Sequence, residues 1–66
     1  MIVTEVFVGM TGDYSSSAVE IALSKANKYI AENNIRKEDI LEYRTRYDYN
    51  LGCDNVTIIL SYWREV

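Results

Sequence analysis

The sequence predicts a small α+β domain of β-α-β-β order, in which a three-stranded antiparallel sheet wraps around one helix. Three observations lead to this prediction. An alternating apolar segment runs from Ile2 to Val8, an alanine-stepped segment follows a glycine turn, and two further alternating segments come after it. Alternation with a period of two is typical of strands, whereas recurrence at three and four residues is typical of a helix. Residues 1–66 are expected to form a single domain without a linker.

The first strand is predicted from Ile2 to Val8, and Gly9 and Gly12 are expected to end it. Successive side chains of a strand project to opposite faces. One face is therefore expected to carry Ile2, Thr4, Val6 and Val8, and the other Val3, Glu5 and Phe7.

The helix is predicted to begin at Ser17, because Ser17 with Glu20 three residues later fits a capping box. Apolar residues then recur at helical spacing and define the face that packs on the sheet. They are Val19, Ala22, Leu23, Ala26, Tyr29 and Ile30. Asn33-Asn34 is expected to end the helix, since asparagine tolerates the left-handed conformation found at helix ends. A polar connector, Arg36 to Asp39, follows.

The second strand is predicted from Leu41 to Tyr49 and the third from Val56 to Tyr62, joined by a hairpin through Asn50 to Asp54. In the second strand Leu41, Tyr43, Thr45 and Tyr47 alternate with Glu42, Arg44, Arg46 and Asp48, a pattern typical of a half-buried strand. In the third, Val56, Ile58, Leu60 and Tyr62 are expected to face the helix, with Thr57, Ile59 and Trp63 opposite. A register shifted by one residue would exchange these two sets.

The third strand is apolar on both faces, and one helix cannot cover both. Ile59 and Trp63, with Val3 or Phe7 beside them, are expected to form an exposed patch of the kind that marks an interface. A domain of this size also buries only roughly 60% of its unfolded surface. Homo-oligomerisation is therefore the first functional expectation. The alternative is a tightly curled sheet that leaves these side chains as scattered surface residues.

Composition bears on several classes of function. A net charge of −3 and a pI of about 4.7 oppose binding to nucleic acid or anionic membranes. The single cysteine, Cys53, and an N-terminus unlike a signal peptide favour a reducing, cytoplasmic compartment, and no segment approaches the ~20 apolar residues of a membrane span. There is no histidine, and no base accompanies Cys53 or the serines, so we expect no enzymatic activity.

The chain resembles the dodecins, small β-α-β-β proteins that form homododecamers and bind flavins between subunits. The likeness spans nearly the whole chain. It is carried by Val8-Gly9, the serine-rich loop before Ala18-Val19-x-x-Ala22-Leu23-x-x-Ala26-x-Lys28, the acidic Glu42, and Asn55-Val56-Thr57-Ile58-Ile59-Leu60-Ser61-Tyr62. The resemblance implies a dodecamer that sequesters or stores a planar or nucleotide-like ligand, FMN or riboflavin, without turnover. A small sporulation-associated family with the same element order is a second resemblance.

Two departures from the dodecin pattern shape the predicted site. Dodecins carry a tryptophan at the start of the second strand, where this chain has Ile35 to Ile40, and a glutamine where this chain has Asn55. We therefore expect Tyr43, Tyr47 or Trp63 to stack on the ligand and Asn55 to hydrogen-bond it, while Arg44 or Arg46 meets a phosphate.

The aromatic residues have a second interpretation, as core or interface residues. The matching alternative function is a ligand-free structural or adaptor oligomer, sporulation-associated or phage-encoded, that acts through protein–protein contacts.

Three other kinds of site have simpler explanations. The loop from Gly9 to Ser17 could bind an anion, but it lacks a Gly-Lys-Ser/Thr ending and a serine-capped turn explains it. The hairpin is rich in possible calcium ligands, Asp48, Asn50, Asp54 and Asn55, but turn geometry explains them and no metal site is expected. Arg44 and Arg46 are flanked by Glu42 and Asp48, which favours cross-strand or intersubunit ion pairs over a nucleic-acid strip.

Overall fold

The computed structural model describes residues 1–11, 17–50 and 52–65. Its elements are β1 (Ile2–Thr11), α1 (Ala18–Glu32), a 3₁₀ turn (Lys37–Asp39), β2 (Ile40–Asn50) and β3 (Cys53–Trp63). The strands form one antiparallel sheet in the order β1-β3-β2, so β3 is central. The predicted α+β fold with β-α-β-β order is confirmed. No helix within the described ranges is long and apolar enough to cross a membrane.

The pairing of β1 with β3 decides which residues face α1. Val56, Ile58, Leu60 and Tyr62 of β3 are buried, as the alternation predicts. Partners across an antiparallel pair project to the same face, and the β1 partners of these four residues are Gly9, Phe7, Glu5 and Val3. We call this the helix-side face and its opposite the outer face. The register shifted by one residue is therefore excluded.

The expectation that Val3 or Phe7 lies beside Ile59 and Trp63 is wrong. Ile2 is the partner of Trp63 and Val6 is the partner of Ile59, so these four residues share the outer face. Phe7 is on the helix-side face and packs on Tyr29 of α1, with ring centroids 5.4 Å apart. The alternation correctly divided the residues of each strand between two faces. Only the pairing register between β1 and β3 decides which face of one strand lies beside which face of the other.

Close contact between α1 and the sheet depends on a stripe of alanines. Ala18, Ala22 and Ala26 recur every four residues and are 3%, 0% and 0% exposed. They pack with Val56 and Ile58 of β3 in the core. Small side chains on this stripe let the helix backbone approach the strands more closely than larger residues would allow.

Gly9 is the β1 residue where the helix backbone comes nearest. A Cβ atom built on Gly9 would clash with the carbonyl oxygen of Ala18 and would lie 2.8 Å from the nitrogen of Ala22. Only glycine fits at such a backbone approach. The prediction that Gly9 ends the first strand is wrong, because β1 continues through it to Thr11. Gly9 instead sets the height of the helix above the sheet.

Both ends of α1 use the residues that the sequence predicts. Ser17 caps the helix, because its Oγ accepts a hydrogen bond of 3.1 Å from the backbone N–H of Glu20. At the other end Asn34 has a φ of 51°, in the left-handed region. The N–H of Asn34 bonds to the carbonyl of Ala31, and that of Ile35 to the carbonyl of Ile30. This is the pair of bonds that defines a Schellman motif.

β2 is not half-buried, and that prediction is wrong. Every residue from Leu41 to Tyr49 is exposed. The helix packs on β1 and β3, so no element in residues 1–11, 17–50 and 52–65 covers the helix-side face of β2, which carries Tyr43, Thr45 and Tyr47. Alternation of polar and apolar residues shows that a strand has an apolar face but not what covers that face.

Candidate functional site

The outer face of the sheet carries a group of apolar side chains, exposed except for the half-buried Ile59, which we call the apolar patch. Its members on β1 are Ile2, Val6, Val8 and Met10, and on β3 they are Ile59 and Trp63. Their exposure includes 62% for Ile2, 55% for Val6 and 48% for Trp63. An apolar group of this extent on one side of a small domain is typical of a surface that another molecule covers.

Charged residues replace the apolar patch where the outer face reaches β2. Glu42, Arg44, Arg46 and Asp48 follow one another on this face, and all four are exposed. The β3 partners of Arg44 and Arg46 are Ile59 and Thr57, so neither arginine stands opposite an acidic residue of its own chain. Among the described residues, the ion pair that forms joins Arg36 and Asp39 instead, 3.1 Å apart.

The helix-side face of β2 presents three tyrosines, Tyr43, Tyr47 and Tyr49, which we call the tyrosine row. Tyr43 pairs with Leu60 and Tyr47 with Val56, so the row borders the buried core without joining it. The three side chains are 40%, 68% and 72% exposed. Sequence reasoning did not include Tyr49 in the site, although the same alternation places it on this face.

The six predicted site residues lie on opposite faces of the sheet. Tyr43 and Tyr47 are on the helix-side face, and the outer face carries the other four, which are Arg44, Arg46, Asn55 and Trp63. Asn55 pairs with Asp48 and is a diagonal neighbour of Arg46, but Trp63 is eight residues further along β3, roughly 26 Å at the rise of a strand. One chain therefore does not gather the six residues around one ligand.

A cleft of about 210 Å³ lies between the end of α1 and the end of β3. Its walls are formed by Asn33, Asn34, Ile35, Arg36, Asp39, Tyr62, Trp63, Arg64 and Glu65. Two arginines, two carboxylates and one indole thus line the same cleft, and the bond from Arg36 Nε to Asp39 Oδ2 raises the pKa of Arg36. Sequence reasoning missed Arg36 and Arg64 because neither lies on the predicted strand faces.

A tyrosine pair joins the helix to the sheet beneath this cleft. The hydroxyls of Tyr29 and Tyr62 are 2.8 Å apart, and their rings meet edge to face at 6.1 Å. The hydrogen bond to Tyr62, with a further contribution from burial, raises the pKa of Tyr29 to about 12. Tyr29 thus keeps its proton at neutral pH, and its hydrogen bond fixes the position of Tyr62 in the cleft wall.

Two other candidate sites, the anion-binding loop and the hairpin with possible calcium ligands, gain no support from the described residues. The predicted anion loop includes Gly12 to Ser16, which lie outside the described residues. In the hairpin, Asp48 and Asn55 are on the outer face, whereas Asp54 and its partner Tyr49 are on the helix-side face. Across residues 1–11, 17–50 and 52–65, no three His, Cys, Asp or Glu side chains converge as metal ligands.

Comparisons with protein-family models, with curated proteins and with solved structures find no match for this chain. The comparisons therefore assign no family, and the likeness to dodecins stays a resemblance carried by short motifs. The features of the chain that bear on its function are the apolar patch, the tyrosine row and the cleft at Trp63.

Proposed function

We propose that this chain is a homo-oligomeric binding protein that assembles through the apolar patch and holds a planar ligand, flavin-type or nucleotide-like, at subunit junctions without turnover. The observation that carries the proposal is the exposure of the patch, with Ile2, Val6 and Met10 all more than half exposed. A chain of 66 residues has a small core of its own, so covering this surface in an assembly would add stability that one subunit lacks.

The free energy of association depends on the patch as a whole. Covering one aliphatic side chain that is already half buried gains about 1 kcal/mol, whereas association costs about 4–15 kcal/mol. A symmetric interface presents each of the six patch residues twice, once from each subunit. The summed gain is then comparable to the cost, so a charge in the middle of the patch should suffice to prevent association through this patch.

The ligand part of the proposal is supported by the cleft at Trp63. Its volume of about 210 Å³ is below the roughly 300–1,000 Å³ of usual small-molecule sites, which is consistent with a site that a neighbouring subunit completes. Trp63 shares this cleft with Ile35, Arg36 and Asp39, which belong to the segment where dodecins carry their stacking tryptophan. It therefore offers an indole ring near the same place, but from another strand. Arg36 and Arg64 lie beside the indole, where they can meet a phosphate.

Native mass spectrometry of the full chain tests the proposal, since it reports subunit number and bound small molecules together. We expect an oligomer that retains extra mass. Val6→Lys should reduce the subunit number, and Asn27→Lys, which adds the same charge on an exposed helix position, should leave it unchanged. A monomeric wild-type chain, or equal subunit numbers for the two variants, would contradict the proposed assembly.

A ligand-free structural or adaptor oligomer is the second candidate function. It is favoured by the division of the six predicted ligand-binding residues between two faces of the sheet. Titration with riboflavin, FMN and a nucleotide, followed by Trp63 fluorescence, separates the two candidates. Saturable quenching supports ligand sequestration, whereas an oligomer that responds to none of these compounds supports the adaptor.

A further inference from the structure

We propose that two copies of this chain pair along the free edges of their β2 strands, antiparallel and about a two-fold axis at Tyr47. The two sheets then form one six-stranded sheet. This proposal rests on the proposed function in one respect, the homo-oligomeric state, and it names a second surface of that assembly. The partner it specifies is another copy of the same chain.

β2 has an edge that is available for pairing. In the order β1-β3-β2 it is hydrogen-bonded to β3 on one side alone. Alternate residues of an antiparallel strand direct their N–H and C=O groups to the other side. With Asn50 and Cys53 closing the hairpin, the outward-directed residues include Tyr43, Thr45 and Tyr47. Such a row of unpaired groups is a template for a further strand.

The other edge of the sheet, along β1, is protected against pairing with a further strand. The Nζ of Lys25 on α1 donates a hydrogen bond of 2.7 Å to the carbonyl oxygen of Val8, and a lysine at a strand edge is a known means of preventing edge pairing. Among the described residues, no side-chain hydrogen bond reaches the backbone of β2. β2 also contains neither proline nor lysine.

The charges on the outer face of β2 select one register. With the axis at Tyr47, Arg46 stands opposite Asp48 of the partner subunit, and the same pair repeats on the other side of the axis. Arg44 then faces a neutral residue, Asn50 of the partner subunit. Opposite charges across two strands stabilise the pairing, and like charges destabilise it.

The neighbouring registers are less favourable. An axis at Thr45 sets Arg44 against the partner's Arg46 and Glu42 against the partner's Asp48. An axis at Arg44 or Arg46 sets an arginine against its own copy. An axis at Tyr43 does pair Arg44 with the partner's Glu42, but it uses the stretch between Ile40 and Glu42 where the pairing with β3 is shifted.

This pairing completes a site that neither copy has alone. Both helices lie over β1 and β3 of their own sheets, so the two β2 strands between them stay open. Because partners across an antiparallel pair share a face, the two tyrosine rows meet on the helix-side face. Six tyrosines then form the floor of a channel between the helices, with exposed aromatic faces on which a planar ligand can stack.

Cysteine cross-linking tests the register. In a Cys53→Ser background, Tyr47→Cys should form a disulfide-linked dimer on oxidation, since residues opposite each other in paired strands meet the distance that a disulfide needs. Thr45→Cys is the matched control on the same face. It would lie roughly 13 Å from its own copy and should not cross-link.

Each outcome of the cross-linking bears on the proposal. Cross-linking at Thr45→Cys in place of Tyr47→Cys would overturn the register. An oligomer in native mass spectrometry with no cross-link at either position would overturn edge pairing and leave the homo-oligomeric proposal standing. A monomeric chain would overturn both.

Charge variants test the same pairing without oxidation, in the Val6→Lys background, where we expect the edge dimer to remain. Arg46→Glu should raise the dimer dissociation constant roughly tenfold or more, because two attractive contacts become repulsive. The double exchange Arg46→Asp with Asp48→Arg should restore it, and Arg44→Glu should change it little. A monomeric Val6→Lys protein, or equal effects of Arg44→Glu and Arg46→Glu, would overturn the proposal.

Discussion

Gly9 is the residue on which the contact between α1 and β1 most depends. A methyl group there meets the backbone of Ala18 and Ala22, and backbone atoms cannot move aside as a flexible side chain can. We expect Gly9→Ala to lower the free energy of unfolding by about 2–3 kcal/mol, the upper part of the range for overpacking. Urea denaturation measures it, with Ser24→Ala, on an exposed helix position, as the control. A loss below about 0.5 kcal/mol would contradict the close approach.

Tyr29 gives the fold a dependence on alkaline pH. Its pKa is about 12 in the folded chain against an ordinary value of 10.0. Below pH 10 both states keep the proton. Between pH 10 and about 12 the unfolded chain releases it and the folded chain retains it, so raising the pH favours unfolding.

We therefore expect the urea midpoint of the wild-type chain to fall as the pH rises from 10 towards 12. Tyr29→Phe should remove much of this fall, whereas Tyr49→Phe, at an exposed tyrosine without this hydrogen bond, should retain it. Midpoints at pH 9, 10.5 and 11.5 measure the effect. Equal slopes for the two variants would show that the Tyr29–Tyr62 pair is not responsible.

Among the elements, α1 is the one whose limits follow from local residues. The bond from the N–H of Glu20 to Ser17 Oγ satisfies a donor that the helix itself leaves free. We expect Ser17→Ala to lower the free energy of unfolding by about 1 kcal/mol, and Ser17→Asp, which keeps an acceptor, to lower it much less. Thermal unfolding followed by circular dichroism distinguishes them. Equal melting temperatures for the two variants would contradict a capping role.

The elements also show which structural features can be predicted from the sequence and which cannot. Ser17 and Asn34 act on groups within a few residues, so the helix could be delimited from the sequence alone. The neighbours of Ile59 and the cover over β2 depend on contacts between residues far apart in the chain, and alternation carries no information about either. For the same reason the residue types of the candidate site were predictable, but their division between two faces was not.

At the scale of the whole molecule, three surfaces support the proposal that this chain is a subunit of an assembly. The apolar patch lies on the outer face of β1 and β3, the tyrosine row lies on the helix-side face of β2, and β2 has an edge that is not paired with another described strand. A helix of 15 residues covers two strands, and in the proposed assembly a neighbouring subunit covers the third, over which no described element lies. Self-association through two different surfaces can generate closed assemblies larger than a dimer.

The central position of β3 has a consequence for how the chain folds. β3 follows β1 and β2 in the sequence, yet both pair with it. The hairpin between β2 and β3 closes locally, within about microseconds for such a unit. The pairing of β1 with β3 instead joins residues that are far apart in the sequence, such as Ile2 and Trp63. Contacts of such long range slow folding. During synthesis β1 and α1 therefore emerge without their partner strand, and their apolar faces stay exposed until β3 has left the ribosome.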